Sequence, residues 1–396
     1  MMGSKQVESK QEGNKQERVV KVHYFDYSLL AIVIFLMCFG LIMLYSASSY
    51  SAQIENGNSM HYFIRQSFFG IFGFCAIFVV GKLDYHLWAK HAKKMYFLAW
   101  ILMALVLTPL GKEVNGARRW IKLPLGQTFQ PSEFTKIAVI VFISLLLCQT
   151  GKQLKNRQVV MIILCIGGLA AGGVLFLTDN LSTTIIVLGI VCTLVFVAHR
   201  KTGKFIALAA VLAGLIAIGV RIMDAFMVTS DNFRLRRILV WLHPEEYLQE
   251  GGYQVMQGLY AIGSGGFFGK GLGNSAQKIM IPEAQNDMIL AIVCEELGVF
   301  GALVLLTMFA LLLHRLMYIA KNAPDTYGTL IVSGVFAHIA LQVLFNVSVV
   351  LNVIPTTGIT LPFVSYGGTS TLFLMIEMGM ALSVSNRIEF DEVKEA

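Results

Sequence analysis

Residues 269–301 read GKGLGNSAQKIMIPEAQNDMILAIVCEELGVFG, a glycine-rich polar loop that runs without interruption into a long apolar segment. Asp287 stands where the loop turns apolar, and Glu295 and Glu296 follow about two turns further in. An ionisable side chain at membrane depth is expensive, so an acid in this place marks a functional site by default. The rest of the chain reads as a membrane scaffold that presents this acid to something negatively charged.

The 396 residues are 56% hydrophobic and only 14% charged, with a mean hydropathy of +0.67. Soluble domains carry roughly 25% charged residues. The composition therefore gives an all-α polytopic membrane protein. Apolar runs long enough to span occur at about ten places: 27–47, 63–81, 95–110, 134–149, 159–177, 181–198, 205–223, 288–313, 327–350 and 370–384. Residues 1–24, rich in Lys, Gln and Glu, are expected to form a disordered tail. They and a short tail at 388–396 flank a single membrane domain, 25–387. All six cysteines fall in apolar runs, which suits small buried hydrophobes rather than a disulfide framework.

Basic residues fix the sidedness. Lys5, Lys10, Lys15, Arg18 and Lys21 precede the first span, and alternate loops carry Lys82, Lys90, Lys93 and Lys94, then Lys152, Lys155 and Arg157, then Arg200, Lys201 and Lys204. Positive residues stay inside, so both termini are expected in the cytoplasm, with a large outer loop at 224–287 between spans seven and eight. Two outer segments break the bias. Residues 111–133 place Arg118, Arg119 and Lys122 around Trp120, and the loop 224–287 holds Arg234, Arg236, Arg237, Lys270 and Lys278. Such cations suit either a bound anion, phosphate being the commonest, or outer lipid headgroups. Within that loop, GGYQVMQGLYAIGSGGFFGKGLG (251–273) suits a re-entrant segment or a short amphipathic helix better than a plain linker.

Asp287 has two readings that are compatible: a helix N-cap, or a general base toward a hydroxyl. At about 100° per residue, Glu296 faces away from it and Glu295 lies about 80° off. The three acids thus form neither a metal cluster nor a paired-carboxylate site, and Glu296 is expected to meet a donor on another helix. Lys136, after Pro131-Ser132-Glu133, and Arg65 stand near the outer ends of their spans, to snorkel or to line a cavity. The histidines show no metal-ligand spacing, and no nucleotide-binding glycine motif follows a strand.

The chain resembles the SEDS family (shape, elongation, division and sporulation) over nearly all of residues 27–387. The stretches that carry the resemblance are YSASS (45–49), YFIRQ (62–66), NGARRWI (115–121), FQPSEFTKIA (129–138), the glycine-rich run 251–278, IPEAQNDMI (281–289), EELG (295–298) and PTTGITLPFVSYGGTS (355–370). The resemblance implies a peptidoglycan glycosyltransferase that polymerises lipid II on the outer face of the bacterial cytoplasmic membrane. Asp287 matches the catalytic aspartate, implied to deprotonate the acceptor sugar's 4-hydroxyl. That oxygen attacks the donor's anomeric carbon, and undecaprenyl diphosphate leaves with inversion. Arg65, Trp120 and Lys136 match positions around the cavity. Arg118 and Lys278 join them as substrate-binding candidates, and Ser365 opens the family's closing turn. Glu133, Glu295 and Glu296 are expected in supporting, structural roles.

No metal ligand is assigned, although a divalent cation, Mg2+ or Mn2+, could share in holding the diphosphate. The implied partners are a class B penicillin-binding protein and other divisome proteins; no nucleic acid is expected. YSAS and PTTGITLPF look closer to the division and sporulation branch than to the elongation branch. The chain departs from the family at Gln285-Asn286-Asp287-Met288, where His-Thr-Asp-Phe is frequent. It departs again at residues 179–183, DNLST in place of Pro-Asp-Leu-Gly-Thr. A flippase for lipid-linked precursors and a non-catalytic scaffold are the competing classes. Neither has any need of a base.

Overall fold

The computed structural model describes residues 17–114, 117–123, 127–199 and 233–395, with Gly203 and Gly214 besides. Helices α1 (Tyr27–Asn56), α2 (His61–Lys82), α3 (His86–Leu105), α4 (Pro131–Thr150), α5 (Arg157–Leu177) and α6 (Leu181–Ala198) come first. Two shorter helices, α7 (Phe233–Leu242) and α8 (Gly252–Gly265), lie in the long connection, followed by α9 (Ile289–Asn322), α10 (Thr326–Val350) and α11 (Thr369–Ser385). Seven of these are long and apolar enough to cross a membrane: α1, α2, α4, α5, α6, α9 and α10. Helix α11 coincides with an expected span but has 17 residues. Helix α3 starts at His86 rather than 95, because its first turns are a basic stretch, with Lys90, Lys93 and Lys94, that continues the helix. Apart from Gly214, the expected span 205–223 lies outside the described residues, as do Arg200, Lys201, Lys204 and the tail cations Lys5, Lys10 and Lys15.

The all-α expectation needs amendment in two places. Between α3 and α4, strands β2 (Gly111–Val114), β3 (Ala117–Lys122) and β4 (Thr128–Phe129) form a small antiparallel sheet. Residues 17–24, expected as part of a disordered tail, form β1 (Glu17–Tyr24), paired antiparallel with β5 (Ile388–Glu395) from the other expected tail. That ribbon ends against a clamp at the start of α1. The Asp26 side chain, fully buried, accepts from Leu29 N at 2.9 Å and from Arg315 of α9 at 2.7 Å. One carboxylate therefore caps α1 and ties it to α9, which offsets the burial of both charges. Asn180 and Asp325 cap α6 and α10 in the same way, accepting from Thr183 N at 3.1 Å and Gly328 N at 2.7 Å.

Of the seven spanning helices, α4, α9 and α10 are the most enclosed, while α2 and α5 turn large apolar side chains such as Phe68, Ile71, Phe72 and Phe176 outward. That is the pattern for a bundle solvated by lipid tails, where burial alone gives no reason to hide apolar surface.

Helix α9 is broken at Gly298, where φ is 69° and ψ is −171°. The loop that follows α8 docks into the break. Lys270 N and Gly271 N donate to the Glu295 and Glu296 carbonyls at 3.0 and 2.9 Å, and Val299 N and Phe300 N donate to the Gly266 and Phe267 carbonyls, both at 3.0 Å. The backbone groups freed by the break are thus satisfied by the loop, as an apolar surrounding demands. A Cβ at Gly298 would stand 2.3 Å from the Phe267 carbonyl oxygen, and one at Gly269 would stand 2.2 Å from that of Glu296. Only glycine permits this approach. The segment 251–273 is therefore a helix followed by an inserted loop, not a flexible linker.

Candidate active site

The loop that leaves this insertion brings Asp287 to the wall of a cavity of about 600 Å³. Asp287 lies just ahead of α9, whose N-cap is Met288 with no side-chain cap bond, so the acid does not serve as the cap. Its carboxylate accepts weakly from Gln254 of α8 at 3.4 Å, and its carbonyl accepts from Asn346 of α10 at 2.8 Å. Burial pushes the Asp287 carboxyl up to about 6. Its own backbone N–H opposes that rise, Glu283 adds to it, and Arg237 and Gln254 oppose it. An acid at that value is ionised at neutral pH, yet far more basic than an exposed carboxylate.

Of the residues singled out in the sequence, Arg65, Trp120, Glu133, Lys136 and Asp287 share this cavity. Lys136 and Glu133 sit in the first turns of α4, which Pro131 starts, and pair at 3.0 Å with little exposure. This pair is turned into the protein rather than snorkelling to an interface. Arg65 holds Gln127 of the small sheet through Nε at 3.2 Å and Nη2 at 2.9 Å, so the guanidinium is fixed at the rim.

Three of the substrate-binding candidates lie elsewhere. Arg118 is exposed and pairs with Glu113 at 3.2 Å, while its neighbour Arg119 lines the cavity. The cause is a register shift. Lys112 faces Trp120 and Glu113 faces Arg118, so Arg119 is the extra residue of a bulge and is re-aimed. Its Nε reaches the Asp179 carbonyl at 3.2 Å, next to the start of α6. Lys278 donates to the Gly273 carbonyl at 2.6 Å and lies 3.6 Å from Glu296, outside the cavity. Ser365 is buried and accepts from Leu361 N at 2.8 Å, holding the closing turn together.

Glu295 and Glu296 form a separate knot in the docked loop. Glu295 accepts from Lys270 at 2.7 Å and from the Ser275 hydroxyl; Glu296 accepts from Ser46 of α1 at 2.7 Å, the expected donor on another helix. Neither acid lines the cavity that holds Asp287, and both staple the loop to the bundle. Among the described residues, no three His, Cys, Asp or Glu side chains converge as a metal-holding group.

The cavity also includes residues that the sequence reading passed over. Gln127 and Gln342 line it, beside Tyr366 of the closing turn. Tyr366 N donates to the Gln285 carbonyl at 3.0 Å, so the closing turn is tied to the segment that carries Asp287. The legible signal for Gln342 and Asn346 was two amides, four residues apart, in an otherwise apolar span. They carry no charge and so escaped a search for ionisable groups.

A bundle of apolar helices that encloses a half-buried acid among Arg65, Arg119 and Lys136 defines a multi-pass membrane protein built to handle an anionic molecule. Comparison with known proteins narrows this. The FtsW/RodA/SpoVE family of cell cycle proteins matches residues 27–389, and the chain belongs to that family. It is 36% identical to stage V sporulation protein E of Bacillus subtilis (strain 168), over 91% of this chain and 96% of that protein. It is 34% identical to a probable peptidoglycan glycosyltransferase FtsW of Geobacter sp. (strain M18), over 93% and 98%. Among solved structures, a chain of a peptidoglycan synthase complex that coordinates polymerization and crosslinking superposes with a TM-score of 0.71 at 26% identity, covering 91% of this chain and 97% of that one. The rod shape determining protein RodA of Thermus thermophilus gives 0.65 at 26% identity, covering 92% and 97%.

Proposed function

We propose that this chain is a peptidoglycan glycosyltransferase that polymerises lipid II on the outer face of the bacterial cytoplasmic membrane. The single observation that carries the reading is Asp287, a carboxylate lifted to about 6 at the wall of a cavity lined by cations. Relatives that bear the glycosyltransferase name over nearly their full length support the same reading.

In the reaction, Asp287 takes the proton of the acceptor sugar's 4-hydroxyl as that oxygen attacks the anomeric carbon of the donor. The bond from that carbon to the diphosphate oxygen breaks, and undecaprenyl diphosphate leaves with inversion. Arg65, Arg119 and Lys136 stand where charge grows on the leaving group. A divalent cation at this place would take most of its ligands from phosphate oxygens, since the described side chains offer no three-ligand cage. The frame is ten spans with both termini cytoplasmic and the loop 224–287 outside. The partners are a class B penicillin-binding protein, which crosslinks the new strand, and other divisome proteins. Similarity to a sporulation protein and to FtsW proteins supports a role in division or sporulation.

The test is polymerisation of lipid II by the purified chain, with and without a candidate transpeptidase, for wild type and Asp287→Asn. Glycan from wild type and none from the folded variant is the expected result. Equal glycan from both removes Asp287 as the base. No glycan from either, with a functional partner present, moves the assignment to a flippase or a scaffold.

A further inference from the structure

The base in this reading lies in a loop, and a loop alone cannot hold a carboxylate to the tolerance that proton transfer needs. Asn346 supplies the missing constraint. It is fully buried in the last turns of α10, and its single amide nitrogen donates at 2.8 Å both to the Asp287 carbonyl and to the Ile359 carbonyl. An amide nitrogen carries two protons, and here each has its own acceptor. Reversing the amide would aim Oδ1 at two carbonyl oxygens, so only this orientation makes bonds. Oδ1 itself is buried and meets no hydrogen-bond partner among the described residues, which leaves the side chain one job.

The two carbonyls belong to adjoining segments that both line the cavity, 283–287 with the acid and 357–360. One turn earlier on the same helix face, Gln342 donates to the Thr360 carbonyl at 2.9 Å. Helix α10, one of the most enclosed in the bundle, therefore sets the position of both segments through two amides. Among the described residues, the side-chain hydrogen bond to the Asp287 carboxylate is the long one from Gln254, so its direction is set chiefly by its own peptide unit. Holding the carbonyl of that unit is the most direct way to hold the acid.

We propose that Asn346 is a positioning residue for Asp287, fixing the catalytic peptide unit against the adjoining 357–360 segment, an inference that rests on the glycosyl-transfer reading above. Asn346 does not touch the substrate. Its loss releases the peptide unit and lets the carboxylate swing toward the water of the cavity.

The experiment uses the full chain in detergent or nanodiscs with two variants. Asn346→Leu is near in volume and has no donor. Asn346→Ala, smaller and also without a donor, serves if the first does not fold. Two quantities are read: steady-state polymerisation of lipid II, and titration of Asp287 by its infrared carboxyl band, isolated by subtracting Asp287→Asn. The expected result is a kcat lower by on the order of 100-fold with KM little changed. The Asp287 titration moves down from about 6 toward its ordinary value, because burial no longer holds it up. A folded variant whose titration stays at the wild-type position overturns the proposal, whether its activity is intact or falls only with the folded fraction. If wild type makes no glycan while the titration still moves in the variant, the glycosyl-transfer reading fails and the tie between Asn346 and Asp287 stands.

Discussion

If Asp287 is the base, polymerisation must follow the ionisation of that one carboxyl. Burial sets the inflection at about 6, so the rate should be flat above pH 7 and fall tenfold per unit on the acid side. At pH 5 it should be about a tenth of the plateau. The charges around the acid give the direction of two further shifts. Glu283 raises the Asp287 value, so Glu283→Gln should move the inflection down; Arg237 lowers it, so Arg237→Gln should move it up. Stability should run the opposite way to activity. The folded value lies above the unfolded 3.8, so the stabilisation from this group is complete below 3.8 and is lost as pH rises to about 6. Asp287→Asn, which cannot ionise, should then be more stable than wild type at pH 7, on the order of 1 kcal/mol after allowance for solvent in the cavity. That gap should close near pH 4. The assay is initial rate of glycan formation between pH 5 and 8 on saturating lipid II, beside thermal midpoints in the same detergent. A rate that is flat across that range, or an inflection that neither neighbour moves, would refute the role of Asp287.

Three other outcomes are expected. Gly298→Ala forces a Cβ to within 2.4 Å of Gly269 N at a positive φ, and should lower stability by about 1–3 kcal/mol or more in thermal unfolding; an unchanged midpoint would mean that the loop is not docked in the helix break. Lys136→Met strands the buried Glu133 and should cost about 3–5 kcal/mol. The double variant with Glu133→Gln should recover stability but not glycan formation, and full activity in it would remove Lys136 from the substrate site. Lys278→Met should lower stability by on the order of 1 kcal/mol through Glu296 and leave KM for lipid II unchanged, whereas a raised KM would return Lys278 to the cavity.

The apolar runs, Asp287 at the edge of one of them and the unusual outer cations were all legible in the chain. Each depends on a local rule: hydropathy over a span's length, the cost of a charge in lipid, and the sidedness of basic loops. Spacing also separated Glu296 from Asp287 and sent it to a donor on another helix, which proved to be Ser46. The choice of Arg118 over Arg119 failed for a physical reason. Residues 111–133 read as an outer loop, in which Arg118 and Arg119 are equivalent neighbours of Trp120; the bulge that separates them depends on pairing with another strand, which no local pattern reveals. Residues 17–24 read as a tail because they continue the polar run 1–16, and nothing local tells of a second strand more than 360 positions away.

By itself, then, the sequence determined the bundle of membrane helices, the acid and the positive character of its surroundings, because hydropathy and charge are properties of each segment. Tertiary structure alone decided which cations face Asp287, that Lys278 instead serves Glu296, and that Asn346 ties the Asp287 peptide unit to the 357–360 segment. Those outcomes rest on hydrogen bonds between segments remote in the chain, and their geometry exists only once the helices have packed.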